Sequence, residues 1–242
     1  MPQLRVPSLQ HLARNILPTA EQIEKKLIAV ALNPPYFNYN ILYGLAYDAL
    51  AYGQPLDEIE RGIRRRVANE EVRNIYLSIS PLLHGHLSVI KPDFVNAVSR
   101  RHFNAGRDLL IPFDPPMIYG VGGQLHLPWF SFWRNDPLRD QKLSLFVTLM
   151  DEVLQEDPDL EFAKISILDF SAPIKGGDRV LNVIDANTVP RLLDGEKREL
   201  LERFAEAFIT ARFKLASMAS RPAPRLDDHP EDRDAPHPDL FD

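Results

Sequence analysis

Apolar residues recur along the first half of the chain with the spacing of a helix and along much of the second half with that of strands. Thr19-Ala-Glu-Gln22 has capping-box form, and Ile23, Leu27, Val30 and Ala31 follow at helical intervals. Asn33-Pro-Pro35 ends that helix, because proline can neither donate a backbone hydrogen bond nor fit inside the next turn. Residues 41–52, closed by Gly53, read as a second helix, 57–67 as a third, 72–83 as a fourth with Pro81 near its end, and 92–103 as a fifth. Short helices with short links predict an N-terminal bundle over residues 1–110.

At Leu109 the pattern changes. The three prolines of 110–116 predict a stiff connector. Residues 118–134 then hold two apolar runs separated by Gly122-Gly123, the pattern of a tight hairpin. Its second arm is apolar on both faces, since Trp129 and Trp133 alternate with Phe130 and Phe132, so it belongs at the centre of a sheet. A helical stripe of Leu143, Phe146, Val147, Met150 and Leu154 follows over 140–156, then strands over 162–170 and 179–184. Asp194 opens a last helix with the stripe Leu200, Leu201, Phe204, Phe208 and Phe213. The expected fold is α+β: a helical region 1–110, then a core over 111–218 in the order strand, strand, helix, strand, strand, helix, forming a small mixed sheet flanked by helices.

Composition narrows the class. The 242 residues include no cysteine, which removes disulfides, thiolate nucleophiles and cysteine metal sites. No apolar run approaches the roughly 18 residues of a membrane span, and residues 1–17 lack the apolar core of a signal peptide. The expectation is a soluble cytoplasmic protein with no membrane partner. Net charge is −6 and uneven: 13 basic and 10 acidic side chains in 1–110, 12 and 17 in 111–218, and 3 and 7 in 219–242. That last segment, with five prolines and few large apolar groups, has the composition of a disordered acidic tail.

Several groups are candidates for chemistry. Trp129, Trp133 and Arg134, with His126, can line a pocket where the central strand meets its following loop. Arg61, Arg64, Arg65 and Arg101 belong to the richest basic set and can meet nucleic-acid phosphates, although Glu58, Glu60, Glu70 and Glu71 lie within a turn or two. His84-Gly-His86 would share a face on a strand and could hold a metal, but on a helix the two rings point roughly 200° apart. Tyr36, Tyr39, Tyr43 and Tyr47 form either a stacking platform or a half-buried helical stripe. Asp169 and Asp185 end the two later strands, where turn formation explains them as well as catalysis does. Glu161 and Lys164 stand three apart, on opposite strand faces.

The element order of 111–218, with the segment Gln141-Lys-Leu-Ser-Leu-Phe-Val-Thr-Leu-Met150 after the central strand, resembles the core of the restriction-endonuclease-like, or PD-(D/E)XK, superfamily. The resemblance implies a nuclease whose carboxylates hold magnesium and whose lysine steadies the attacking water. Asp114 and the Gln124-x-His126 pair stand nearest to those roles, whereas Leu127-Pro-Trp-Phe-Ser-Phe-Trp-Arg134 carries neither acid nor lysine. The sequence thus favours a non-catalytic binding or scaffold protein with an unidentified protein partner and no cofactor. The alternative is a divergent magnesium-dependent nuclease or nucleic-acid-processing protein using Asp114, Gln124 and His126, and a third reading is nucleic-acid binding without cleavage.

Overall fold

The computed structural model describes residues 4–35, 38–135 and 137–219. Five helices come first: α1 (Leu9–Asn15), α2 (Ala20–Leu32), α3 (Asn40–Tyr52), α4 (Leu56–Arg66) and α5 (Glu70–Leu87). Their ends follow local chemistry. The Thr19 hydroxyl accepts from Gln22 N–H at 3.3 Å, and the Asn69 side chain accepts from Val72 N–H at 3.0 Å. Gly53 closes α3 in the left-handed region at φ +62°, where a side chain would be strained. α5 runs through Pro81 to Leu87. The proline removes the bond that Leu77 carbonyl would have accepted, and Ser80 Oγ donates to that carbonyl at 3.5 Å instead.

The helical stretch therefore ends at Leu87, short of residue 110. Residues 92–103 are not a fifth helix: they supply β1 (Phe94–Asn96) and the start of β2 (Arg101–Asn104). Tertiary pairing overrides the local pattern. β1 pairs antiparallel with β4 (Ile118–Val121), with Phe94 opposite Gly120, and a Cβ at Gly120 would overlap the Phe94 ring. The expected stiff connector is likewise partly a strand, since β3 (Leu110–Phe113) pairs antiparallel with β2 and Pro112 stands opposite His102. A two-stranded ribbon tolerates that proline because a strand there can face away from any partner.

The C-terminal order matches the sequence reading. β4 and β5 (Gln124–Ser131) form the hairpin, with Gly122 at φ +56° and Gly123 at +80°, the backbone of a type I′ turn. α6 (Asp140–Gln155), β6 (Lys164–Asp169), β7 (Asn182–Asp185) and α7 (Asp194–Ala219) follow. The five-stranded sheet runs β1-β4-β5-β6-β7, with β5 and β6 parallel and the other neighbours antiparallel. This is a mixed α+β fold, and β5 is its central strand.

Alternation along β5 divides the core in two. Leu127 and Trp129 belong to a cluster built with α1, α2, β3, α6 and α7. Phe130 and Phe132 belong to a cluster built with α3, α4 and α5. Trp129 stacks on Phe113 at 5.3 Å and meets Phe146 edge-on at 5.1 Å, while Phe130 and Phe132 stack at 5.7 Å. Each such pair adds about 0.5–1.5 kcal/mol beyond the area it buries. Helices cover the sheet on both faces, and the N-terminal helices are shared between them. Leu200, Leu201, Phe204 and Phe208 are buried along α7, but Phe213 is 74% exposed and stands outside that stripe. Of the expected acidic tail, 219–242, Ala219 is the last residue of α7 and residues 220–242 lie outside the described residues.

Candidate ligand-binding cleft

Because β5 and β6 run parallel through the α6 crossover, their carboxyl ends and the first turn of α6 open on one edge of the sheet. Ligands of α/β folds collect at such edges, where chain ends leave space and helix N–H groups are unpaired. Here the edge holds a cleft of two lobes with Asn135 bordering both.

The first lobe, of about 500 Å³, lies between the end of β5 and α5. Trp133, Arg134, Arg14, Tyr39 and Arg179 line it, with Glu71 as its one described carboxylate. Arg134 Nη2 donates to the carbonyls of Gly177 at 2.7 Å and Gly176 at 3.3 Å, and Arg179 Nη1 donates to those of Phe132 and Phe170 at 2.9 and 2.8 Å. Carbonyl anchors orient a guanidinium without neutralising it, and each leaves further N–H donors unspent. Burial lowers the Arg179 group from its ordinary value and raises the Tyr39 hydroxyl beside it.

The second lobe, of about 780 Å³, has an apolar floor that includes Leu17 and Pro137. Arg139, Lys142, Lys175 and Arg203 stand around it with Asp140 as the described carboxylate. Arg203 pairs with Glu199 and donates to Leu17 carbonyl. Arg134, Arg139, Lys142, Lys175 and Arg179 form no ion pair among the described residues. Asp136, beside Asn135 in sequence, lies outside the described residues.

Behind the cleft, at the ends of the two parallel strands, Ser131 stands opposite Asp169. Asp169 Oδ2 accepts from Ser171 Oγ at 2.8 Å, whereas Oδ1 has no partner. Ser131 Oγ approaches closely enough to favour the charged carboxylate yet makes no hydrogen bond of ordinary geometry. Burial dominates and holds the Asp169 carboxyl above its ordinary value; Arg139 pulls weakly the other way, and Asp169 also acts on Arg179. Asp169 thus sits electrostatically between the two lobes.

The pocket expected from sequence is only partly the one present. Trp133 and Arg134 line the cleft, but Trp129 is 5% exposed inside the core, and His126 lies at the opposite, hairpin end of β5. Arg14, Arg139, Lys142, Lys175 and Arg179 form no pattern in the sequence because they come from three separate stretches that only the fold brings together.

The remaining candidates are otherwise engaged. Arg61 pairs with Asp57 at 2.7 Å, Arg64 with Glu60 at 3.7 Å and Arg101 with Asp157, while Arg65 is exposed on α4. His84 and His86 lie in the last turn of α5, and Asp185 accepts from Asn187 N–H at 2.9 Å as a turn residue. Tyr43 packs against Phe130 and Phe132, with burial pushing its hydroxyl up to about 12, and Tyr47 donates to Val95 carbonyl. Tyr36 lies outside the described residues.

Asp114, Gln124 and His126 do not fit a magnesium centre. Asp114 is exposed and bound to Arg100 at 2.5 Å, and Gln124 donates its amide to the carbonyls of Leu125 and Phe162. His126 stacks on Tyr119 at 4.9 Å, and burial followed by Lys164 lowers its pKa, which disfavours the cation that would stand in for a lysine. Among the described residues no three histidine or carboxylate side chains cluster to hold a metal, and no helix is long and apolar enough to cross a membrane. No protein-family model matches the chain, and no curated protein is similar to it in sequence.

Proposed function

We propose that the chain is a cytoplasmic, non-catalytic binding protein whose ligand enters the cleft at the carboxyl ends of β5 and β6. One observation carries this reading: the buried central strand ends by delivering Trp133 and Arg134 directly into a cavity where Arg14 and Arg179 converge. An aromatic ring and fixed polar donors beside an apolar floor are what a ligand site needs for area and orientation. A scaffold role for a protein partner uses the same edge, with the ligand being a side chain of that partner.

Thermal shift across a set of anionic, neutral and cationic small molecules tests this. The reading expects ligands that raise the melting temperature of the native protein and fail to do so in Arg134→Gln or Trp133→Phe. Ligands that stabilise all three proteins equally contradict it.

The order β4, β5, α6, β6 supports the proposed topological likeness to restriction-endonuclease-like cores, and topology alone does not carry activity. Incubation of single- and double-stranded DNA with magnesium decides the point. Cleavage that Asp114→Ala abolishes would replace the binding reading with the nuclease one.

A further inference from the structure

The cleft is an electropositive site on a chain of net charge −6. Five cations, Arg134 and Arg179 in one lobe and Arg139, Lys142 and Lys175 in the other, have no ion-pair partner among the described residues. Glu71 and Asp140 are the described carboxylates that border the lobes. Elsewhere on the surface some cations are matched, such as Lys25 with Glu21, Arg61 with Asp57, Arg100 with Asp114, Arg191 with Asp151, and Lys197 with Glu152 and Asp194, while unmatched ones such as Arg65, Lys91, Arg107 and Lys164 are exposed and line neither lobe. Five unmatched cations gathered at one concave edge focus their field there, and crowding like charges against low-dielectric walls is unfavourable until an anion arrives.

The placement of the charges says more than their number. They fall on both sides of Asn135, so a single small anion meets one group and leaves the other uncompensated. The guanidinium of Arg134 is pre-oriented by two backbone carbonyls and keeps donors for a tetrahedral oxyanion, and the first turn of α6 adds its positive end to the second lobe. We infer that the two-lobed cleft binds a chain of linked phosphates, one phosphate group held by Arg134 and Arg179 and another by Arg139, Lys142 and Lys175. This rests on the cleft being the ligand site and names the chemistry of its ligand. Two or more phosphates on one molecule occur both in a free polyphosphate ester, where they are joined directly, and in the backbone of a nucleic-acid strand, where sugars join them.

Isothermal titration of the full chain separates the cases. The probes are sodium tripolyphosphate, orthophosphate, citrate and a single-stranded thymidine oligomer. Tripolyphosphate is expected to bind at one site, and Arg134→Gln and Lys175→Gln, both exposed residues, are each expected to weaken it about tenfold, Lys175→Gln at unchanged melting temperature. An oligomer that binds more tightly than tripolyphosphate assigns the phosphates to a nucleic acid, and each of the two variants then reduces the slope of log affinity against log salt by about 0.7. A weaker oligomer assigns them to a small molecule; both outcomes support the inference. Orthophosphate or citrate binding as tightly as tripolyphosphate overturns it, as does binding that neither variant changes. If none of these anions binds while a neutral compound still stabilises the native protein through Trp133, the phosphate inference fails and the ligand cleft stands. If nothing acts through Trp133, both fall.

Discussion

Arg14 lies over the ring of Trp133, its guanidinium carbon 4.2 Å from the ring centroid, and so ties helix α1 to the outgoing end of the central strand. The same guanidinium donates to Asn135 carbonyl at 3.3 Å, and His11, one turn earlier, meets the indole edge-on at 5.2 Å. Residues three apart on a helix share a face, which is why both reach one ring. Through this contact the N-terminal helix forms a wall of the cleft.

Arg14→Ala is therefore expected to lower stability by about 1 kcal/mol, the usual worth of a partly desolvated cation–π contact with its hydrogen bond. It is also expected to shift Trp133 emission to the red as water reaches the ring. Urea denaturation and steady-state fluorescence report both, and an emission maximum that does not move contradicts the geometry.

The two tryptophans play different parts. Trp129→Ala removes a core ring packed on Phe113 and Phe146 and should cost about 3–5 kcal/mol, whereas Trp133→Phe should cost under about 1.5 kcal/mol. Comparable losses in chemical denaturation would mean that both rings are structural.

This division marks how far sequence reading reaches. The central position of β5 is legible because alternating large apolar residues leave no polar face, and the Gly122-Gly123 turn is legible because few other dipeptides accept two positive φ angles. The strands at 94–96 and 101–104 are not, because short edge strands carry little pattern of their own and exist only through partners elsewhere in the chain. The cleft is half legible. Trp133 and Arg134 follow the central strand, so any reading of that strand finds them. Arg14, Arg139, Lys175 and Arg179 become neighbours only when α1, α6 and the β6–β7 connection fold to one edge.

Asp169 supplies a pH test. Burial raises its carboxyl above 3.8, so between that value and its native one the folded chain holds more protons than the unfolded chain. Stability from this group falls as pH rises through that window, and the full cost remains above it. Asp169→Asn removes the cost, so the variant should be more stable than the native protein near neutrality, with the gain shrinking as pH falls towards the ordinary carboxylate value. Urea midpoints across that range measure it, and a gain that grows on acidification contradicts the assignment.

Gly122→Ala and Gly123→Ala place a side chain in the left-handed region at the hairpin turn and are expected to cost about 1–2 kcal/mol each. Neither meets a neighbouring atom within 4 Å, so the loss is backbone strain alone. Gly122→Asn, which tolerates that conformation better, should recover part of it in thermal melts.

The ligand cleft itself is best tested through the two indole N–H signals in a nitrogen–proton correlation spectrum, since the chain has two tryptophans, Trp133 in the cleft and Trp129 in the core. During titration with tripolyphosphate, the Trp133 signal should move and saturate while the Trp129 signal stays in place. Movement of both signals together, or of neither for this or any other ligand that stabilises the protein, would contradict a binding site at the carboxyl ends of β5 and β6.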